Sequence, residues 1–335
     1  MTVEAKSKGK KAFKTVIIAL LVIAAALLIF SYFTSRETSV PVAAYNGKNK
    51  YITPTGQAMV SAHRSGGGIF PENTFLAFKS CVESDTFNTD IFEFDLHLTA
   101  DNVLVLLHDD TLDRTSNAEE HFGEKDVKPS AKTYAELREL NMGESFKDDN
   151  GKQPYKGLRG KDIPDDLRII RLEDVLDYLC ANGDYHFIIE IKDSGELGKK
   201  AADELYKVLK SRNLIEKTIV GTFHGEVTKY IDEAYPDMIR SASIIEVISF
   251  YFSSLFGIKK NPEKIKFDAL QIPPKAAMLN LSTTRFINYA HSHDIAVQYW
   301  TVNDKEQIKA LNEKGADAII SDVPDIAYAI IHAND

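Results

Sequence analysis

The chain has 335 residues, of which 44% are hydrophobic and 27% charged, a composition that excludes fibrous and intrinsically disordered proteins. This length allows one large α/β domain or two smaller ones. Residues 1–36 carry a net charge of +5 and the remaining chain −14, which together make the formal −9; such an acidic chain is a poor nucleic-acid binder, because nucleic-acid-binding proteins present basic surfaces to phosphates.

The N-terminal segment combines a basic tail with a long apolar run. Five lysines lie within residues 1–14, and the apolar stretch Val16 to Phe33 follows, with Arg36 just beyond. About 18 apolar residues span a hydrocarbon core roughly 30 Å thick. The pattern predicts a transmembrane helix over residues 15–33, with residues 1–14 in the cytoplasm and the rest of the chain outside the cell. The alternative is a signal peptide cleaved near Val42 to Ala44, but such peptides have apolar segments of only about 7 to 15 residues.

Residues 34–57 contain two prolines and two glycines with little periodicity, which predicts a linker. In the domain predicted over residues 58–335, apolar runs predict strands over residues 58–62, 91–96, 103–107, 186–191, 218–222, 238–241, 269–272, 295–300 and 318–321. Helical patterns cover residues 73–83, 172–181, 198–212, 283–293 and 305–314. This alternation predicts an α/β fold with a parallel sheet, and about eight repeats predict a closed (β/α)8 TIM barrel.

Two parts of the domain depart from this alternation. Residues 97–102 are too few to hold a crossover helix, so the second and third runs are expected to form an irregular or hairpin-like pair. Residues 110–169 are polar and rich in glycine and lysine, and they predict a small insertion on the side where barrels place substrate-facing loops. The two cysteines, Cys81 and Cys180, lie in helical patterns and are expected to be buried thiols.

Acidic side chains alternate with apolar ones in two of the predicted strands. The period of two in IFEFDLH turns Glu93 and Asp95 toward the barrel interior, and the same period in HFIIEIK turns Glu190 and Lys192 inward. Three converging carboxylates need a compensating cation, because burying an unpaired carboxylate costs several kcal/mol. Oxygen ligands favour Mg²⁺ or Ca²⁺ over zinc. The alternative is a structural network in which Lys192 and Arg64 neutralise the acids.

Histidines lie at the ends of two predicted strands. His63 and Arg64 end the first strand and precede three glycines, and His108 follows the third apolar run. Barrel enzymes carry catalytic groups at strand ends, and an imidazole with a pKa near 6.5 suits general acid and base catalysis. His63 and His108 are therefore predicted as an acid and base pair, whereas His97 is expected to be structural.

Short motifs recur along the predicted domain: HR at 63–64, PENT at 71–74, EFD at 93–95, HD at 108–109, LDRT at 112–115, RLEDVL at 171–176, EIK at 190–192, WTVN at 300–303 and GADAIISDVPD at 315–325. In their order and spacing, these motifs resemble the glycerophosphodiester phosphodiesterase family, in its membrane-anchored bacterial type, over about residues 58 to 330.

The resemblance implies a TIM barrel with an insertion after the HD motif, a divalent cation, and hydrolysis of glycerophosphodiesters to glycerol phosphate and an alcohol. By role, it implies metal ligands Glu93, Asp95 and Glu190, an acid and base pair His63 and His108, phosphate-binding residues Arg64 and Lys192, and Trp300 beside the glycerol. The metal and an arginine would take up the phosphate charge, while one histidine deprotonates the attacking oxygen and the other protonates the leaving alkoxide. The sequence leaves open which histidine does which, and whether water or a glycerol hydroxyl attacks first.

Two positions depart from the family pattern. Ser65 replaces the usual glycine after HR, and we expect it to narrow the site or to add a hydroxyl near the phosphate. Asn102 replaces the usual glycine before the HD strand, a mild change because asparagine tolerates a positive φ. The competing functions are a phospholipase-like lyase that releases a cyclic phosphate and a non-catalytic membrane sensor that binds phosphodiesters. Head group, preferred metal and oligomeric state are not determined by the sequence.

The segment IIEVISFYFSSLFGIKK, residues 244–260, clusters aromatic and aliphatic residues before two lysines. An exposed helix of this kind would dock on the bilayer and admit lipid-derived substrates. A barrel helix that buries the rings against the sheet is the alternative.

Overall fold

The computed structural model describes residues 15–26, 30 and 40–333. Its strands are β1 (Met59–Ala62), β2 (Ile91–Leu98), β3 (Leu104–Leu106), β4 (His186–Ile191), β5 (Thr218–Gly221), β6 (Ala269–Ile272), β7 (Lys275–Ala276), β8 (Leu279–Asn280), β9 (Ala296–Tyr299) and β10 (Ala318–Ser321). Its α-helices from residue 40 onward are α1 (Phe75–Val82), α2 (Ala118–Phe122), α3 (Tyr134–Leu137), α4 (Leu172–Asn182), α5 (Gly195–Ser211), α6 (Gly225–Ala234), α7 (Ile244–Phe256), α8 (Thr284–His291), α9 (Lys305–Glu313) and α10 (Pro324–Ile331). Single turns of 3-10 helix lie at His63–Ser65, Pro129–Ala131, Gly160–Asp162, Asp165–Leu167, Ile215–Lys217 and Pro262–Lys264.

Parallel strands form the wall of a barrel in the order β5-β4-β2-β1-β10-β9-β6. The space between β5 and β6 is bridged by Arg240, which pairs with Val220, and by Ser241, which pairs with Ala269. The sheet is therefore nearly closed, and the prediction of a TIM-type barrel is confirmed. The run predicted as a strand over residues 238–241 makes only these two isolated bridges.

The third predicted strand lies outside the barrel wall. β3 pairs antiparallel with the end of β2, with Leu106 opposite Leu96 and Leu104 opposite Leu98. This confirms the hairpin-like pair, which follows because the loop between the two strands is too short for a crossover helix. The hairpin returns the chain to the end of β2, where the Leu107 N–H donates to the Asp95 carbonyl at 3.1 Å. His108 is thereby placed beside the inner face of β2.

Every residue of β2 is buried, because each face of this strand is covered. Phe92, Phe94 and Leu96 pack outward against the helices, in the pattern expected from the period of two. At the N-terminal end of the barrel, Tyr51 and Ile52 pack against the first residues of the strands. These two residues come from the segment predicted as a linker, and they cover the end of the barrel opposite the strand termini that carry the polar motifs.

The segment over residues 110–169 has a small hydrophobic cluster of its own beneath β3 and the loop that follows. Leu112, Ala118, Leu137 and Leu140 are fully buried in it. The capping box of α3, in which Thr133 and Glu136 exchange hydrogen bonds, helps to hold this short helix.

The apolar N-terminal segment is described only in part. Residues 15–26 are helical, and within the described residues no helix has the length and hydropathy needed to cross a membrane. Residues 27–29 and 31–33 of the predicted transmembrane helix lie outside the described residues. The predicted cytoplasmic tail, residues 1–14, also lies outside them. The ring of Phe30 stacks on that of Phe252 in α7, with centroids 5.9 Å apart.

The two cysteines differ in their surroundings. Cys81 is buried, as expected, but Cys180 is exposed, so the prediction for Cys180 is wrong. The reason is helical geometry: α4 buries Leu172, Val175, Leu176 and Leu179, and the residue after Leu179 is rotated about 100° away from that face.

Candidate active site

A single cavity with a volume of about 470 Å³ collects all of the predicted site residues at the C-terminal ends of the barrel strands. Its lining includes His63 and Arg64 after β1, Glu93 and Asp95 on β2, His108 after β3, Glu190 and Lys192 at the end of β4, and Trp300 after β9. This is the end of a barrel at which TIM-barrel enzymes place their chemistry. His97 does not line the cavity; its buried ring is held by Asp193, with 2.7 Å between Nδ1 and Oδ1.

The three predicted metal ligands meet in the structure. Oxygens of Glu93, Asp95 and Glu190 all lie within 4.8 Å of one another. The pairing of β2 with β4 explains this, because Asp95 and Glu190 are register partners on adjacent parallel strands. Three buried or half-buried carboxylates with converging oxygens match the ligand set of a hard divalent cation such as Mg²⁺ or Ca²⁺.

The electrostatics of this carboxylate cluster show that it carries more negative charge than a buried site favours. Burial, together with the charge of Asp95, raises the pKa of Glu93 to about 7. Burial also raises the pKa of Glu190. For Asp95 burial acts in the same direction, but the nearby Lys192, His108 and Arg64 outweigh it and lower the pKa of Asp95.

The two predicted catalytic histidines are each held by a carboxylate. Nδ1 of His63 lies 2.6 Å from Oδ1 of Asp322, and Nδ1 of His108 lies 2.7 Å from Oδ1 of Asp109. Burial lowers the pKa of His63, but Glu93 and Asp322 outweigh it, so its pKa is raised. The pKa of His108 is lowered, mainly by burial. In both rings Nδ1 is hydrogen-bonded to a carboxylate, so Nε2 is the nitrogen available to hydrogen-bond a ligand.

The two predicted phosphate-binding residues also line the cavity, and both pair with carboxylates. Nζ of Lys192 lies 3.0 Å from Asp95 and 2.8 Å from Glu190. Arg64 pairs with Glu72 at 3.2 Å, and its Nε lies 3.9 Å from Asp95. Lys192 and Arg64 therefore partly neutralise the carboxylate cluster, which is the alternative role that the sequence left open for them. Both side chains also line the cavity.

A family model described as the glycerophosphoryl diester phosphodiesterase family matches residues 63–326. The chain belongs to this family. A glycerophosphodiester phosphodiesterase of Bacillus subtilis (strain 168) is 26% identical over 325 residues, covering 95% of this chain and 98% of that protein.

Solved structures of the family share the fold. A phosphodiesterase of Oleispira antarctica, solved in complex with the product sn-glycerol-3-phosphate, aligns over 82% of this chain and 97% of its own with a TM-score of 0.62 and 20% identity. A glycerophosphoryl diester phosphodiesterase domain from Mycobacterium tuberculosis aligns over 81% and 98% with a TM-score of 0.65 and 18% identity. This glycerophosphodiester phosphodiesterase family member is thus a phosphoric diester hydrolase with a TIM-type barrel.

Several residues that contact the predicted site residues had no role predicted from the sequence. Asp322, which orients His63, directly follows β10 and also accepts from Asn303 at 2.7 Å. Arg114 links the Asp109 carboxylate to that of Glu72. All of these lie in the quoted motifs, and the position of Asp322 after the last barrel strand was the available signal.

Ser65 does not act as expected. It adopts a positive φ of 65°, is fully buried, and does not line the cavity, so the expectation that it narrows the site is wrong. The left-handed backbone explains why the family usually has glycine there. Asn102 adopts a φ of 64°, in agreement with the tolerance expected of asparagine.

The segment predicted either to dock on the bilayer or to bury its rings has both buried and exposed apolar side chains, on different faces of α7. Phe250 and Tyr251 are buried, whereas Phe252 and Phe256 are exposed. Tyr251 also lines the cavity, together with Ile248 one turn earlier. The helix therefore forms one wall of the cavity and presents its other side outward.

Proposed function

We propose that this phosphodiesterase hydrolyses glycerophosphodiesters with a divalent cation held by Glu93, Asp95 and Glu190, and with His63 and His108 as general acid and base. The observation that carries the proposal is the meeting of all five side chains in one cavity, although they come from four separate parts of the chain. Each histidine is oriented through Nδ1 by a carboxylate, the arrangement that fixes which ring nitrogen faces a substrate.

The residues of the carboxylate cluster would hold Mg²⁺ or Ca²⁺ through their converging oxygens. When bound, the ion supplies Lewis-acid stabilisation of negative charge on the phosphate. Arg64 and Lys192 add positive charge at the same cavity wall and suit charge-assisted hydrogen bonds to phosphate oxygens. Trp300 offers an apolar face to the carbon skeleton of the glycerol.

One histidine takes the proton from the attacking hydroxyl and the other returns a proton to the leaving alkoxide. The water oxygen forms the new bond to phosphorus as the bond to the head-group oxygen breaks. If a glycerol hydroxyl attacks instead, the same two transfers give a cyclic phosphate. A cyclic phosphate that persists would identify the phospholipase-like lyase.

One assay tests the proposal. The full chain, reconstituted in nanodiscs, is incubated with glycerophosphocholine, glycerophosphoethanolamine or glycerophosphoglycerol and with Mg²⁺, Ca²⁺ or EDTA. We expect glycerol phosphate to be released with a divalent ion and not with EDTA. Phosphorus NMR of the products follows any cyclic species. Release that is equally fast in EDTA, after the ion has been dialysed away, would contradict the metal-dependent mechanism.

The proposal includes attachment to the membrane through residues 15–33, with the barrel outside the cell. Support comes from the charge asymmetry around the apolar run and from exposed apolar side chains on the helix over residues 15–26. The contact of Phe30 with Phe252 places the end of this segment beside the apolar outer side of α7.

The exposed Cys180 tests the orientation, since the other cysteine, Cys81, is buried. In intact cells a membrane-impermeant maleimide should label Cys180, and a Cys180→Ser variant should remain unlabelled. Labelling that requires cell lysis would place the barrel in the cytoplasm, and recovery of the chain in the soluble fraction after alkaline extraction would exclude the anchor.

A further inference from the structure

Helix α7 presents an apolar stripe to the outside of the barrel. The stripe consists of Ile245, Ile248, Phe252 and Phe256, which follow one another at intervals of three or four residues and so lie along one side of the helix. All four are exposed, Ile245 by 80% and Phe256 by 71%. The helix over residues 15–26 does not bury the stripe, because its own side chains are exposed along its whole length. An exposed apolar surface of this kind marks an interaction site.

A group of positive charges, the basic cluster, adjoins the C-terminal end of the stripe. It consists of Lys259, Lys260, Lys264 and Arg285. The amine of Lys260 reaches back along α7 and donates to the Ser249 hydroxyl at 2.9 Å, three residues before Phe252. Arg285 donates to the Leu255 carbonyl at 2.9 Å, in the last turn of the same helix. Positive charge therefore lies directly beside the exposed rings of the stripe.

This positive charge stands out in the domain that carries it. The chain from residue 37 onward has a net charge of −14, yet Glu263 is the one acidic residue within residues 257–265. Among the described residues, Lys259 and Lys264 have no acidic partner. Unpaired cations on an acidic protein indicate an anionic partner. A bilayer that contains anionic lipid offers negative charge and apolar material over one surface, which is the combination that the stripe and the basic cluster match.

The chain itself keeps this side of the barrel near the membrane. The Pro41 carbonyl accepts from the Asn288 amide at 2.9 Å, and the Ala43 N–H donates to the same side chain at 3.0 Å. Asn288 lies on α8, one turn after Arg285 of the basic cluster. Pro41 is eight residues beyond residue 33, where the proposed transmembrane helix ends, and eight residues reach at most about 29 Å. The α7–α8 side therefore lies within reach of the bilayer surface.

We propose that the apolar stripe and the basic cluster dock on a bilayer surface that contains anionic lipid. The exposed side chains of the stripe enter the head-group region, and the cations of the basic cluster contact lipid phosphates. Docking gives the barrel a second attachment beside the anchor and holds it in one orientation, with α7 and α8 toward the membrane. This inference rests on the anchor in the proposed function and names the partner of α7.

A fluorescent label tests this orientation in the full chain. Because Cys81 is buried, a thiol-reactive nitrobenzoxadiazole dye labels Cys180 in the wild type and position 256 in a Cys180→Ser/Phe256→Cys variant. Cys180 is a suitable control, since α4 packs on β2 and β4 whereas α7 packs on β6. Both proteins are placed in phosphatidylglycerol nanodiscs whose lipid head groups carry a nitroxide. We expect the nitroxide to quench the label at position 256 and to leave the label at Cys180 nearly unquenched.

Two double variants of the labelled protein separate the basic cluster from charge elsewhere. Lys259→Gln/Lys264→Gln should lower the ratio of docked to undocked protein about 25-fold, because each cation near an anionic surface contributes about fivefold. Lys147→Gln/Lys161→Gln removes the same charge from exposed positions of the segment over residues 110–169 and should keep the quenching. Nanodiscs of phosphatidylcholine alone should lower the quenching as the Lys259→Gln/Lys264→Gln variant does.

Three results would overturn the docking. The first is equal quenching of the two labels. The second is quenching at position 256 that is unchanged in phosphatidylcholine and in Lys259→Gln/Lys264→Gln, because anionic lipid would then not be the partner. The third is an unquenched label at position 256 that cross-links to another copy, or that is shielded from aqueous iodide even in detergent. Cross-linking would assign the stripe to a second copy of the chain, and shielding would assign it to residues 15–33.

Failure of the docking is distinguishable from failure of the proposed function. Size-exclusion chromatography shows whether the chain elutes with the nanodiscs, which reports the anchor. Release of glycerol phosphate from glycerophosphoglycerol reports the chemistry, and Lys259→Gln/Lys264→Gln should leave it unchanged, because neither lysine lines the cavity. An undocked chain that elutes with the nanodiscs and cleaves this substrate would overturn this inference alone. A chain that elutes free of the nanodiscs would overturn both the anchor and the docking.

Discussion

The charge of the carboxylate cluster leads to a prediction about stability in the absence of metal. Burial and the charge of Asp95 raise the pKa of Glu93 from 4.5 to about 7. A carboxyl whose pKa is higher in the folded chain than in the unfolded chain stabilises the fold when it is protonated. That contribution is fully present below pH 4.5 and is lost as the pH rises through about 7. Ionised Glu93 therefore destabilises the metal-free enzyme at alkaline pH.

The substitution Glu93→Gln keeps the shape of the side chain and removes its charge. The amide oxygen can still accept the backbone N–H of Arg64, which Glu93 accepts at 2.8 Å. One pKa unit corresponds to about 1.4 kcal/mol, so the advantage of the variant should grow from about 1 kcal/mol at pH 5.5 to about 3 kcal/mol at pH 8. Both values follow from the pKa difference of Glu93 alone.

Urea unfolding in EDTA at the two pH values measures this difference. Glu72→Gln is the matched control, because Glu72 is paired with Arg64 and Arg114 and its loss should weaken the fold at both pH values. Added Mg²⁺ or Ca²⁺ should stabilise the wild type far more than Glu93→Gln. If Glu93→Gln has the same advantage at both pH values, or is less stable than wild type at pH 8, the account of the carboxylate cluster is refuted.

Three further predictions concern the histidines and the backbone. His63→Ala and His108→Ala should each lower kcat by about 10² or more with an unchanged circular dichroism spectrum, and near-full activity in either would remove that residue from the mechanism. Asp322→Asn should lower the pKa of His63, because the Asp322 carboxylate that opposes the effect of burial is removed. Histidine NMR titration of the metal-free protein measures this pKa, and an unchanged titration would contradict the prediction. Ser65→Gly should stabilise the fold against urea by about 1 kcal/mol, because glycine adopts a positive φ without strain and the variant removes a buried hydroxyl that has no hydrogen-bond partner among the described residues. Asn102→Gly should change stability less, and equal effects of the two substitutions would show that strain at Ser65 is unimportant.

Much of the barrel and its site could be predicted from local patterns in the sequence. The period of two in a strand decides which side chains share a face, and this alone turned Glu93, Asp95 and Glu190 to the interior. Strand ends in a TIM barrel meet at one edge, which predicts that His63 and His108 lie near the carboxylates. The short connection after β2 likewise predicted the hairpin that the structure contains.

Other features depend on contacts between distant parts of the chain, which no local pattern encodes. The partner of His63 is Asp322, 259 residues away, and only closure of the barrel brings β1 beside β10. The positive φ of Ser65 follows from how the chain turns at the end of β1, not from serine itself. The apolar pattern of α7 is visible in the sequence, but only packing against the barrel determines which side chains face the cavity and which face outward, because the apolar side chains of this helix are not confined to one face.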